Sequence, residues 1–330
     1  MYHKNFILSI LLLFLVNCYN TNHVNEKITT LDSDFPINEP KIFALGKVTT
    51  QLQDWGISIS RDWNEIYFTV SAIKGKGDSK SAIVTLKWLD GKWTEPEVVC
   101  FSGKYKDGCP NLSTDGNRLV FVSNRPTCEN DTLNDGNLWC VERISGQWQE
   151  PYSIDIINTD KGEFFPTMAP GGDLFYCTNY QGRGKPARIY HSKYINGKYQ
   201  KPNPIKGDIL TDLGEYCPYI LPDEKHMMIE IVDGENGLGD GDIYISELLP
   251  DGSWSKAKHL GNQINSSEHD CYPILTPDGG YIIYMSCRQP TFVNDDGKSS
   301  FNELLWDVTI PNKQPFDFYW VKSDFMKDFL

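Results

Sequence analysis

The chain is poor in the motifs that announce a chemistry. It has no HExxH, no GxSxG and no phosphate-binding loop, and its six histidines are scattered. No two cysteines take the CxxC spacing, and no zinc-finger spacing is present. Positive charge is in deficit. Lys and Arg number 31 against 44 Asp and Glu, a formal net charge of -13, which leaves no basic stripe for phosphates. Nucleic acid and anionic membrane surfaces are therefore excluded as partners of the folded part. Long apolar runs are missing too, apart from residues 6–16, which are too few to span a bilayer stably.

What is there begins with that run. Lys4 precedes it and Asn17-Cys18 follow, the layout of a secretory signal, so an exported protein is expected. Leu15-Val16-Asn17-Cys18 resembles a bacterial lipobox, with Asn17 in place of the usual small residue. Lipid attachment at Cys18, on a membrane facing the periplasm or the exterior, is one expectation, and a simply cleaved signal is the other. Residues 19–38 are polar and read as a tether. Eight cysteines remain beyond Cys18; Cys128 and Cys140 could close the loop between them, while others sit in apolar strand patterns that suit a buried free thiol.

The rest is repetitive. "DGCPNLSTDGNRLVFVS" at 107–123 returns as "DCYPILTPDGGYIIYMS" at 270–286. Anchored on Ile57, Pro110, Pro166, Pro218 and Pro273, five copies fill the chain at spacings of 52 to 56 residues. Each copy carries four strand signals; in the second they cover 110–113, 118–123, 137–143 and 147–154. Asp115-Gly116 and Asp278-Gly279 suit the hairpin between strands one and two. Asp90-Gly91, Ser145-Gly146, Asn196-Gly197 and Asp251-Gly252 suit the one between three and four, because Gly and Asx accept positive φ. The second strand is apolar at consecutive positions, as in Leu119-Val120-Phe121-Val122, so both its faces must be covered. Radial packing of sheets does this, and the expected fold is an all-β, five-bladed β-propeller of four-stranded antiparallel blades over residues 39–330. The fifth copy lacks a fourth-strand phrase. Residues 39–46 match the missing one, so the ring is expected to close with an N-terminal strand, leaving no open edge.

The phrases "LSTDGNRLVFVSNRP", "GDGDIYIS" and "DGSW" resemble the TolB-type, WD-repeat-like propellers of exported bacterial proteins. The resemblance implies a propeller. It leaves function open among binding platform, assembly scaffold and enzyme.

Three residues before each anchor stands an acid: Asp54, Asp107, Glu163, Glu215 and Asp270. These five are expected to open the innermost strands and ring one channel mouth, either as acceptors of backbone hydrogen bonds or as a cation or ligand site. Trp55, Phe164, Phe165, Tyr216 and Tyr272 lie beside them, for packing between blades or for holding a sugar. Arg125, Arg183 and Arg288 follow second strands and could pair with the acids or meet an anionic ligand. The loop "DGENGLGDGD" at 233–242 offers Asp233, Asp240 and Asp242 to Ca²⁺, without the full EF-hand spacing, or is an ordinary loop. An insertion at 288–315 stands on the same side. No cofactor is required. The reading is an envelope-located, lipid-anchored propeller that binds a protein or carbohydrate on its loop face. The alternatives are a glycoside hydrolase using two of the five acids, and a scaffold in an envelope complex.

Overall fold

The structure, a computed structural model, describes residues 24–37, 39–50, 52–74, 78–131, 135–179, 186–288 and 316–330. Cys18, Arg183 and nearly all of the 288–315 insertion lie outside them. The described chain forms five antiparallel blade sheets, one per repeat, and a separate two-stranded hairpin of Tyr194–Ile195 and Lys198–Tyr199. Their innermost strands are Gln53–Ile59, Asp107–Leu112, Glu163–Met168, Glu215–Ile220 and Asp270–Leu275. Four of these begin on the predicted acid and the first begins one residue before it. The inner strand of the second blade thus starts three residues earlier than its apolar pattern suggested.

The ring closes as expected. Lys41–Ile42 pairs antiparallel with Asp317–Lys322, Lys41 opposite Trp320 and Ile42 opposite Tyr319, so the first and last strands complete one blade. Phe43 N–H donates to Phe318 O at 2.8 Å just beyond the ladder.

Alternation of burial along the second strands explains the radial stacking. Leu119 and Phe121 enter a cluster with Tyr67 and Ile83 of the first blade, while Val120 joins Leu174 and Tyr176 of the third. Equivalent clusters fill the other three gaps. Side chains also hydrogen-bond across the gaps: Leu112 N–H donates to Ser58 Oγ (2.9 Å) and Met168 N–H to Asn111 Oδ1 (2.8 Å). At these two gaps one inner strand is therefore fixed to the next by both apolar contact and a hydrogen bond.

The turns divide into two kinds. Asp90-Gly91, Ser145-Gly146 and Asn196-Gly197 hold both residues at positive φ, as a two-residue hairpin of type I′ requires. Between strands one and two, a single residue of each turn is at positive φ: Trp63, Gly116, Gly172, Glu224 and Gly279.

Three expectations are corrected. The fourth strand of the second blade is broken into Gln147–Trp148 and Tyr152–Ser153, because Pro151 between them has no N–H for the ladder. Residues 24–31, placed in a tether by their polarity, are helical and packed: Val24, Ile28 and Leu31 recur at helical spacing, and Ile28 and Leu31 are buried. Lys27 Nζ donates to Asp62 O and Asn64 Oδ1, and Trp93 Nε1 donates to Lys27 O. Finally, Cys128 is exposed and Cys140 buried, both free thiols, since Cys140 turns into the gap between blades two and three.

Candidate functional site

All five acids of the predicted ring are present at one end of the inner strands, and all five are fully buried. Each reaches back to the segment that leads into its own strand. Asp54 accepts from Thr50 Oγ1 (2.9 Å), Glu163 from Thr159 N–H (3.0 Å) and Oγ1 (2.6 Å), and Asp270 from Ser266 N–H (2.6 Å) and Oγ (2.7 Å). Asp107 accepts from Ser102 Oγ and Gly103 N–H, and Glu215 from Thr211 N–H. In every blade the partner includes the residue four positions before the acid, four times Thr or Ser. The carboxylate thus substitutes for a turn's missing acceptor, as an Asx-type motif does.

Two of the predicted arginines complete this arrangement. Arg125 Nη2 lies 2.8 Å from Asp107 Oδ1 and donates to Phe101 O, with its plane among the rings of Tyr105, Phe121 and Trp139. Arg288 repeats the geometry 2.8 Å from Asp270 Oδ1, between Tyr284 and Tyr319. A third arginine was missed. Arg188, from the third strand of blade three, lies 3.3 Å from Glu215 Oε2 across the gap. Its signal was the repeat itself: blade four has no basic residue where blades two and five carry Arg125 and Arg288.

Among the described residues no cation pairs with Glu163, and Arg183 lies outside them. Burial pushes its carboxyl up to about 7, hydrogen bonds from Thr159 and Thr178 offset part of that, and the charge of Asp135 adds to the rise. Burial raises Glu215 as well, opposed by Thr211 and Arg188.

The aromatic residues fill space between blades. Trp55 donates from Nε1 to Ser71 Oγ (2.7 Å), and its ring covers Gly108, where a Cβ would come within 2.3 Å of it. Tyr272 is buried and packs edge-on against Phe165 at 5.6 Å. Tyr216 is half-buried between two apolar clusters. These rings, with Cys109, Cys217 and Cys271, plug the channel below the acids.

Beneath the plug the channel opens at the other mouth, on the side of the turns between strands one and two. A cavity of about 320 Å³ is lined there by all five inner strands and the turns that follow them, including Arg61, Asn111, Ser113, Met168, Tyr219 and Thr276. Sequence reasoning placed the site at the acid end and gave this mouth no residues.

The loop at 233–242 does not gather its carboxylates: Asp233 and Asp240 are exposed, whereas buried Asp242 accepts from Leu238 and Gly239 N–H and lies 3.4 Å from His259 Nε2. Among the described residues, one group brings three metal-type donors within 4.8 Å of one another: Glu230, His269 and Cys271.

No family model matches the chain. No curated protein matches it either. Solved structures do. A glycoside hydrolase aligns with a TM-score of 0.54 at 10% identity over 91% of this chain and 95% of its own. The α-L-arabinofuranosidase of Lactobacillus brevis gives 0.52 at 14% identity, covering 86% and 92%. A TolB candidate from Agrobacterium tumefaciens gives 0.49 at 16% identity, covering 74% and 73%. At these identities the likeness to the first two concerns architecture alone.

Proposed function

We propose that the chain is an exported, envelope-anchored binding module that takes a small ligand at the turn-side mouth of its channel. The observation that carries this reading is the 320 Å³ cavity, to which every blade contributes and which falls at the lower end of small-ligand pockets (about 300–1,000 Å³). Its wall is mixed. Ile57, Met168 and Ile274 supply apolar surface, while Ser113, Thr114 and Arg61 at the rim suit a ligand with hydroxyl or anionic groups. The export signal and Cys18 support the location.

Thermal-shift titration tests the reading with oligosaccharides, sugar acids and short peptides on the unsubstituted chain, Arg61→Glu and Thr114→Trp. Arg61 and Thr114 are exposed, so both variants keep the core. The expected result is a saturable rise in melting temperature that Thr114→Trp abolishes. A shift unaffected by either change would place the ligand elsewhere.

A hydrolytic reading has one observation in its favour: Glu163 has the raised pKa of a general acid, in a fold shared with a glycoside hydrolase and an arabinofuranosidase. Against it, Glu163 is fully buried and held by two threonines. Release of nitrophenol from aryl glycosides, lost in Glu163→Gln, would replace the binding reading with this one.

A further inference from the structure

The channel plug contains a group that neither the acid ring nor the turn-side cavity uses. Glu230, on the second strand of blade four, stands opposite Tyr216 in the ladder and points across the gap toward blade five. Its Oε1 lies 2.7 Å from His269 Nε2, and its Oε2 lies 3.1 Å from Cys217 Sγ. Cys271 Sγ lies within 4.8 Å of both the His269 and Glu230 donor atoms. A carboxylate, an imidazole and one thiol from adjacent blades therefore converge within 4.8 Å, and a second thiol, Cys217, flanks them at 3.1 Å from Glu230 Oε2. Three of the four residues are buried, and His269 is about a third exposed, which leaves a route from solvent.

The backbone around the point is shaped to leave room. Cys217 sits at φ +47° in the bulge of its inner strand, and the next inner strand bulges between Cys271 and Ile274, with Tyr272 at φ +51°. Across from them Gly241 has no side chain; a Cβ there would come within 2.6 Å of His269 Nε2 and 3.1 Å of Glu230 Oε1. The ring of Phe316 covers His269 edge-on at 5.1 Å.

We propose that Cys217, Glu230, His269 and Cys271 form a binding site for a zinc-class divalent cation that clasps blades four and five beside the channel. The donor set selects the metal. Thiolate and imidazole suit a borderline-soft ion that accepts four ligands, and they do not suit Ca²⁺ or Mg²⁺, which take oxygen. The spacing fits as well. Tetrahedral bonds of about 2.0–2.3 Å put donors about 3.3–3.8 Å apart, so the Glu230–His269 contact opens by about 1 Å, the Cys271 sulfur draws in by up to about 1 Å, and Cys217 swings onto the ion from its place beside Glu230. An ion pair alone explains Glu230 and His269 but gives no role to the two thiols at its edge. Binding releases the thiol protons, as zinc sites built on cysteine require.

The test is Co²⁺ and Zn²⁺ titration of the chain carrying Cys100→Ser and Cys128→Ser, which removes the two exposed thiols. The expected result is one equivalent bound, with the intense visible bands of tetrahedral cobalt and a thiolate-to-cobalt charge-transfer band in the near ultraviolet. His269→Ala and Cys271→Ser should each weaken binding at least tenfold, with circular dichroism reporting that the fold survives. X-ray absorption of the zinc-loaded, unsubstituted chain reads the ligands without any variant, and two sulfur neighbours with two nitrogen or oxygen neighbours are expected. Absence of stoichiometric uptake, an all-oxygen-and-nitrogen shell, or cobalt bands that persist in both variants would overturn the proposal.

Discussion

At the scale of single residues, the acid ring is a set of five similar turns in different electrostatic settings, and the differences can be measured. Asp107 and Asp270 each face a guanidinium, whereas among the described residues Glu163 is hydrogen-bonded to two hydroxyls and one N–H. The folded-state pKa of Glu163 stands at about 7 against an ordinary 4.5, so its contribution to stability is fully present below pH 4.5 and is lost as pH rises through 7. Two and a half units correspond to about 3 kcal/mol. Chemical denaturation between pH 4 and pH 8 should show this decline, and Glu163→Gln should flatten it and raise stability at pH 8. An unchanged slope in the variant would mean that the carboxyl ionises freely in the fold. Arg125→Ala leaves the fully buried carboxylate of Asp107 without its cation and should cost about 3–5 kcal/mol in a urea titration. A loss below about 1 kcal/mol would mean that the pair is screened as a surface pair is.

At the scale of elements, the inner strand carries most of what the sequence concealed. Its apolar register, its hairpin turns and the acid that starts it were legible because each has a local signature in residue type. The bulge was not. At residues 56, 109, 165, 217 and 272 the strand steps through the left-handed region, yet glycine marks only the first, and Cys109, Phe165, Cys217 and Tyr272 take φ of +47° to +54° with full side chains. Neighbouring blades impose that conformation, so it could not be read from propensity. The same holds for the channel cavity and the Cys217–Cys271 cluster, whose members are remote in sequence and meet only through the ring. Gly56 then has a second reason to be glycine, since four neighbours tolerate the angle without it. A Cβ at Gly56 would stand 2.8 Å from Cys109 Cα, which is backbone and cannot turn aside. Gly56→Ala should therefore lose more than the roughly 1–2 kcal/mol of the left-handed conformation alone, a difference that the urea midpoint reports. A neutral effect would show that blades one and two can part at this level.

At the scale of the whole molecule, the ring depends on a short joint. Only Lys41 and Ile42 pair with the last strand, supported by buried Phe43 and by the helix at 24–31. Deleting residues 24–46 should uncover the edge of Asp317–Lys322 and leave the remaining blades intact. Light scattering after gel filtration should then show concentration-dependent association through that edge, with a lowered melting temperature. A monomer of undiminished stability would mean that the joint is dispensable. The pairing of Lys41 with Trp320 also sets an order in time. Residues 41–42 must wait for residues 317–322, so four blades can assemble vectorially while the fifth stays half-built until those residues leave the ribosome. Until then the nascent chain presents two unsatisfied strand edges at once, and a chaperone that shields extended backbone would have to act on it during that interval.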